Sequence, residues 1–161
     1  MKVVSNLSTL IAFARIGHLW ILEKEIGELT VSEAVYYDLG IKGAGKPGSK
    51  EMKEANWIKK EKVKGTETVE RLRSRLHAGE SEAIVLAKEI GAEFVILDDE
   101  EARKVAEAEG LKVVGGLALL VRGKAKGWIK TVKPLLEQLK GQGFFIGKEL
   151  YRAILQEAGE L

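Results

Sequence analysis

Residues 77–103, with the sequence HAGESEAIVLAKEIGAEFVILDDEEAR, contain the pattern that decides the fold. Apolar residues recur at helical spacing from about Gly79, and they predict an amphipathic helix. Phe94–Leu97 is a continuous apolar run, which is typical of a buried strand in a parallel sheet. Asp98 and Asp99 follow immediately and begin the next helix. The stretch therefore predicts a helix, a buried strand and a second helix, with two acids at the carboxyl end of the strand.

The same alternation of short apolar strands and amphipathic helices continues along the chain. Further strands are predicted at Lys2–Ser5, Leu29–Val31, Trp57–Val63 (an exposed edge strand) and Lys112–Val114. Ser8, Ser32 and Thr68 are predicted helix caps. The helices are predicted at about 8–17, 18–26, 32–39, 49–56, 68–76, 79–90, 98–110, 117–126, 132–140 and 148–158. This order predicts an α/β fold with a mostly parallel sheet covered on both faces.

Composition limits the classes of protein and site. The chain has 161 residues, of which 45% are hydrophobic, so we expect a single domain over 1–161 with its C-terminal helices, about 131–161, packed on it. The absence of cysteine excludes disulfides, thiolate metal sites and cysteine nucleophiles. No signal-peptide pattern and no membrane-length apolar run is present, which predicts a soluble cytoplasmic protein. Abundant Lys and Glu without Cys is typical of a thermophile.

Charge is distributed unevenly along the chain. Residues 41–75 carry eleven Lys or Arg and five Asp or Glu, a net of +6, whereas residues 76–110 carry three and ten, a net of −7. Such neighbouring regions fit a metal site beside a phosphate-binding surface, although the charge pattern alone is better explained by solvated helix faces. The candidate contacts to a nucleic-acid backbone are Ser8, Lys42, Lys46 and Lys50.

Polar side chains follow two of the predicted strands. Asn6 comes directly after the first strand, and Asp98 and Asp99 come after the strand that ends at Leu97. If these strands are neighbours, the three side chains converge on one crevice, because ligands bind beyond the carboxyl ends of parallel strands. Clustered carboxylates attract Mg²⁺ or Mn²⁺, which prefer oxygen ligands. Spacing alone nevertheless favours a simpler explanation, in which these residues cap helices.

Other glycine-rich and serine motifs are weak evidence of function. The loop GAGKPGSK, residues 43–50, is similar to a phosphate-binding loop, but its order is Gly-Ser-Lys and it follows a helix, so a surface loop explains it better. Gly115 and Gly116 lack the complete dinucleotide-binding pattern. No serine stands in a nucleophile-elbow pattern.

Four segments together resemble the PIN domain superfamily, and within it a prokaryotic branch related to VapC-type toxins. They are VVSNLSTLIAFARIGHLWIL at 3–22, VSEAVYYDLG at 31–40, the opening stretch at 77–103, and GLALLVRGKAKGWIKTVKPLLEQLKGQGFFI at 116–146. Each segment matches loosely, but their order and spacing are fairly specific.

The resemblance implies a metal-dependent ribonuclease and a set of acids that hold the metal. It places Asp38, Glu82 and Asp99 in the acidic site as catalytic residues, with Asp98 beside them and Asn6 as a fifth metal contact. It also implies a parallel sheet flanked by helices, Mg²⁺ or Mn²⁺, a homodimer, single-stranded RNA as substrate and, for a toxin, a protein antitoxin.

Asn6 departs from the pattern of this family, in which Asp usually follows the first strand. An amide offers one carbonyl oxygen and no charge, so it should weaken metal binding and leave the catalytic water less activated. Two functions are therefore predicted. One is a metal-dependent endoribonuclease, which could serve as a toxin. The other is a catalytically weak domain that binds RNA or a protein partner.

Overall fold

The computed structural model describes residues 2–37 and 44–161. The candidate residues Asp38 and Lys42 lie outside this part of the chain, as does the predicted end of the third helix near residue 39. In the described residues no helix has the length and apolar character needed to span a membrane.

Five parallel strands form one central sheet, which confirms the predicted α/β fold. Their order across the sheet is β3-β2-β1-β4-β5. The exposed strand predicted at 57–63 is therefore an edge strand, as expected. The strands are β1 (Val3–Ser5), β2 (Leu29–Ser32), β3 (Ile58–Glu61), β4 (Phe94–Ile96) and β5 (Val113–Val114).

Helices connect the strands and close the chain at its C-terminal end. The described helices are α1 (Leu7–Arg15), α2 (Leu19–Ile26), α3 (described over 33–37), α4 (Ser49–Glu54), α5 (Thr66–Leu72), α6 (Ala78–Ile90), α7 (Glu100–Ala108), α8 (Gly116–Ala125), α9 (Lys133–Gly141) and α10 (Lys148–Glu157). These positions follow the predicted pattern, with differences mainly at the helix ends.

The core has two parts, one on each face of the sheet. Val3 and Ile96 contribute to a core with residues of α1, α2, α8, α9 and α10. Val4 and Val95 contribute to a second core with residues of α5, α6 and α7. Successive strand residues point to opposite faces, so both faces of β1 and β4 are buried. The result is the expected arrangement of three layers, helix on sheet on helix.

The predicted cap of the first helix is wrong by two positions. α1 begins at Leu7, and its N-cap is Asn6, whose side chain accepts a 3.4 Å hydrogen bond from the backbone N–H of Ser8. Asn and Ser are about equally good N-caps. The extended backbone of Asn6, at φ −65° and ψ 129°, fits the cap position, and Ser8 lies inside the helix.

The helix predicted at 68–76 begins two residues before its predicted start and ends four residues before its predicted end. α5 spans Thr66–Leu72, so Thr68 lies inside it and does not cap it. The Glu89 carboxylate accepts hydrogen bonds from the backbone N–H groups of Lys64 at 2.9 Å and Gly65 at 2.6 Å. A side chain distant in sequence therefore fixes the start of α5. The prediction for Ser32 is confirmed, since its Oγ accepts from the N–H of Val35 at 3.4 Å.

Candidate metal centre

The candidate site lies where the strand order reverses between β1 and β4. From β1 the chain adds β2 and then β3 toward one edge of the sheet. It then returns to add β4 and β5 on the opposite side of β1. Ser5 pairs with Ile96 in register, and the N–H of Asn6 donates to the Ile96 carbonyl at 3.0 Å. The first and fourth strands are therefore neighbours, as the predicted crevice required. Such reversal points are common ligand sites in parallel sheets.

A cleft of ≈ 870 Å³ lies at this edge of the sheet. It brings together residues from the ends of β1 and β4, from the first turn of α6 and from the segment before α10. Its lining residues are Asn6, Ser8, Thr9, Glu80, Asp98, Asp99, Glu100, Phe144, Phe145, Gly147, Lys148, Glu149 and Leu150. Four of the predicted site residues, Asn6, Ser8, Asp98 and Asp99, therefore share one cleft.

Asn6 lies beside the first turn of α6. It is buried, and a Cβ atom added to Gly79 would lie 3.4 Å from its Oδ1. The first turn of α6 therefore lies against Asn6. The next residue, Glu80, lines the same cleft as Asn6.

The negative charges of Glu80 and Asp99 repel each other across the cleft. Glu80 is buried and accepts a 3.1 Å hydrogen bond from the His77 N–H. Burial raises the pKa of Glu80 above its ordinary value, the His77 hydrogen bond opposes this, and the negative charge of Asp99 raises it further. A cation between the two would relieve this repulsion, because it stabilises both ionised groups.

Asp99 also caps the helix after β4. Its Oδ2 accepts a 2.9 Å hydrogen bond from the backbone N–H of Ala102, so the predicted helix cap is present. The capping and the metal-binding interpretations do not exclude each other, since a carboxylate has a second oxygen that can bind a cation.

Asp98 is held by hydrogen bonds on both of its oxygens. Thr9 Oγ1 donates to Oδ2 at 2.7 Å, and the N–H of Gly116 donates to Oδ1 at 2.7 Å. Burial raises the pKa of Asp98, while these hydrogen bonds and the positive charge of Arg103 lower it. Asp98 therefore joins β4 to α1 and to the start of α8.

The two glycines before α8 have a role in this contact. A Cβ on Gly116 would lie 2.8 Å from the Thr9 methyl carbon and 3.0 Å from Asp98 Oδ2. A Cβ on Gly115 would lie 2.9 Å from a terminal nitrogen of Arg103. Gly116 therefore needs to be glycine for the chain to pass close to Thr9 and Asp98, whereas at Gly115 the flexible end of Arg103 could move aside.

Glu82 lies elsewhere on α6. Its Oε1 accepts a 2.7 Å hydrogen bond from the Ser32 hydroxyl at the end of β2. Residues two apart on a helix point in different directions, so Glu80 and Glu82 make different contacts. Among the described residues it is Glu80 that lines the cleft with Asn6 and Asp99.

The predicted basic contacts lie away from the described lining of the cleft. Lys46 is exposed in the turn before α4, and Lys50 is exposed on the first turn of α4. Ser8 does line the cleft, at the start of α1. Lys42 and Asp38 are outside the described residues.

The donor atoms suit a hard cation, and the described residues provide only part of a complete set. Asn6, Glu80 and Asp99 present oxygen atoms, which Mg²⁺ and Mn²⁺ prefer. Within the ranges 2–37 and 44–161, no group of three or more His, Asp or Glu side chains has an arrangement that could hold a metal. Asn6, Glu80 and Asp99 therefore offer two carboxylates and one amide, which is at most part of a ligand set for Mg²⁺ or Mn²⁺.

The sequence did not single out Glu80 or the wall formed by Phe144–Leu150 as parts of this cleft. Glu80 and Glu82 both precede the Ala83-Ile84 pair on one helix, and the resemblance selected Glu82, the acid nearer to that pair. No local motif marks Phe144–Leu150, which reaches the cleft only through tertiary packing.

Comparison with known proteins gives one match. A family model described as a PIN domain matches residues 2–160, which is nearly the entire chain. Neither the curated proteins nor the solved structures include a significant match.

Proposed function

Because this chain belongs to the PIN domain family, we propose that it is a divalent-metal-dependent ribonuclease that acts slowly. PIN domains are generally divalent-metal dependent, and PIN nucleases bind RNA. The observation that carries the proposal is that Asn6, Glu80 and Asp99 line one cleft at the carboxyl ends of neighbouring strands.

The proposed metal ligands are Asn6, Glu80 and Asp99, with Asp38 as a predicted fourth. Glu80 replaces Glu82 in this assignment, because Glu80 lines the cleft whereas Glu82 accepts a hydrogen bond from Ser32. A bound Mg²⁺ or Mn²⁺ would activate water and neutralise charge on a phosphodiester. Asp98 keeps the strand end, α1 and α8 in place around these ligands.

Asn6 makes the proposed enzyme slow. An amide at this position contributes one neutral oxygen, and a divalent cation is held less strongly without a negative charge at position 6. The same observation favours a second function, in which the domain binds RNA without cutting it. The predicted toxin role, protein antitoxin and homodimer stay predictions.

Cleavage of a labelled single-stranded RNA in Mn²⁺ tests the proposal. Asp99→Asn is the informative variant because Asn is as good an N-cap as Asp, so α7 keeps its cap while the cleft loses a charge. We expect slow cleavage by the wild-type chain and none by Asp99→Asn. Equal cleavage by the two proteins would refute the assignment.

Asn6→Asp distinguishes slow cleavage from binding without turnover. It retains a good N-cap for α1 and supplies the missing charge. Faster Mn²⁺-dependent cleavage by this variant supports the nuclease. If the variant binds Mn²⁺ and RNA but still does not cut, the domain is an RNA-binding module.

A further inference from the structure

The wall of the cleft formed by Phe144–Leu150 is distinct from its acidic part. Phe144, Phe145, Gly147, Lys148, Glu149 and Leu150 line the same cleft as Glu80 and Asp99. At ≈ 870 Å³ the cleft is much larger than a metal ion, and pockets of about 300–1,000 Å³ hold small organic ligands. There is space for a nucleotide beside the acids.

Phe145 is the most exposed large hydrophobic side chain among the described residues, at 88%. Its neighbours are anchored. The N–H of Phe144 donates to the Leu139 carbonyl at 3.0 Å, and Ile146 is buried in the core. The residues on either side therefore fix the backbone with the Phe145 ring directed outward, so this exposure does not result from a loose chain end.

Lys148 supplies the positive charge in this wall. It is exposed, and among the described residues that line the cleft it is the one with a positively charged side chain. The structure gives it no ion pair with a described carboxylate, whereas several other lysines form such pairs. Its ammonium group can therefore contact a phosphate without first breaking an ion pair to any of the described carboxylates.

We propose that Phe145 stacks on a base of single-stranded RNA and that Lys148 contacts an adjacent phosphodiester. The proposal rests on the proposed function, since the strand bound here would extend to Glu80 and Asp99. Aromatic rings stack on every base, and lysines that contact the backbone add affinity without sequence preference. Phe145 and Lys148 are thus substrate-binding residues beside the metal centre.

The composition of the wall favours RNA over a protein partner. A protein-docking surface usually has a contiguous apolar patch around its anchor residues. Here the exposed apolar residues Phe145 and Leu150 are separated by Gly147, Lys148 and Glu149, and the last two are exposed and charged. An isolated ring beside a cation fits a base and its phosphate better.

Binding of fluorescent single-stranded RNA, measured by anisotropy in EDTA, tests this inference without metal or turnover. We expect Phe145→Ala and Phe145→Leu both to bind about 5- to 100-fold more weakly, because a stacked base is lost in each. Leu161→Ala is the matched control, since Leu161 is 67% exposed and is not among the lining residues. Its affinity should equal that of the wild-type chain.

An abasic RNA strand separates stacking from a merely structural effect. The wild-type chain and Phe145→Ala should bind it equally weakly, and Lys148→Ala should reduce the salt dependence of binding by about one counterion. Wild-type levels of RNA binding by Phe145→Ala would overturn the proposal, as would no RNA binding by any form. The proposal would also be overturned if Phe145→Ala dissociated a dimer of the chain and left its affinity for RNA unchanged. Failure of cleavage alone, with these affinities as expected, would overturn only the proposed function.

Discussion

Thr9 and Asp98 are joined by a hydrogen bond of 2.7 Å from the threonine hydroxyl to the Asp98 carboxylate. The bond connects α1 to the residue that follows Leu97, next to Asp99. Since the other Asp98 oxygen accepts from the Gly116 N–H, one half-buried side chain sets the spacing of three elements around the cleft. We therefore propose Asp98 as a positioning residue and Asp99 as the metal ligand.

Replacing Thr9 with valine should destabilise the protein. The substitution keeps the shape of the side chain but leaves a half-buried carboxylate oxygen without its donor, at a cost of about 1–3 kcal/mol. Urea unfolding measures this free energy. Ser8→Ala is the control. The Ser8 hydroxyl has no hydrogen-bond partner among the described residues, so its effect should be within about 0.5 kcal/mol. Equal effects of the two substitutions would contradict the role of Asp98.

Glu160 should make the stability of the C-terminal region depend on pH. Its carboxylate accepts from the N–H groups of Val132 at 2.6 Å and Lys133 at 2.9 Å, and from Lys124 Nζ at 2.9 Å. Burial acts to raise the pKa of Glu160, but these hydrogen bonds outweigh it, and the pKa is lowered. A lowered pKa means that the folded state prefers the ionised acid. The stabilisation is therefore complete above the unfolded-state value of about 4.5 and is lost as the pH falls through the folded value.

Glu160→Gln should abolish this part of the pH dependence. At neutral pH we expect a loss of about 1 kcal/mol, because the site is partly screened by solvent. Unfolding free energies of the two proteins should converge as the pH is lowered below about 4.5. A constant difference across this range would show that the Glu160 charge does not contribute.

Mn²⁺ titration of Glu80→Gln and Glu82→Gln should separate the two acids of α6. Gln at position 80 can still accept from the His77 N–H, so the helix start is preserved while the charge is removed. We expect Glu80→Gln to weaken Mn²⁺ binding about tenfold or more and Glu82→Gln to leave it nearly unchanged. The reverse result would restore Glu82 to the metal centre.

Asn6→Asp should strengthen Mn²⁺ binding about tenfold or more, since it adds a negative charge beside Glu80. Isothermal titration calorimetry measures the affinity, and thermal unfolding without metal serves as the control for folding. A modest loss of stability in the metal-free variant is expected, because another carboxylate joins a cluster that already repels. Unchanged affinity would place Asn6 outside the metal centre.

The sheet and most helices could be predicted because each depends on the spacing of apolar residues within a short stretch of sequence. Val3 and Val4, for example, belong to an apolar run that is buried on both faces, as a parallel strand requires. The start of α5 was not predictable, because the group that fixes it, Glu89, is 24 residues from Gly65 along the chain.

The site was predictable only in part for a similar reason. Strand ends meet in a parallel sheet, so Asn6 and Asp99 could be placed together from their positions after β1 and β4. The choice between Glu80 and Glu82 depends on the rotation of α6 about its axis, which tertiary packing sets and local sequence does not express. Phe145 reaches the cleft through the packing of α9 and α10, and no spacing in the sequence expresses that contact.

The anomalous signal from a crystal soaked in Mn²⁺ tests the central claim most directly. We expect a peak among the oxygen atoms of Asn6, Glu80 and Asp99, at the carboxyl ends of β1 and β4. Absence of a peak there, or a peak bound instead by Glu82 near Ser32, would contradict the claim that this cleft is the metal centre.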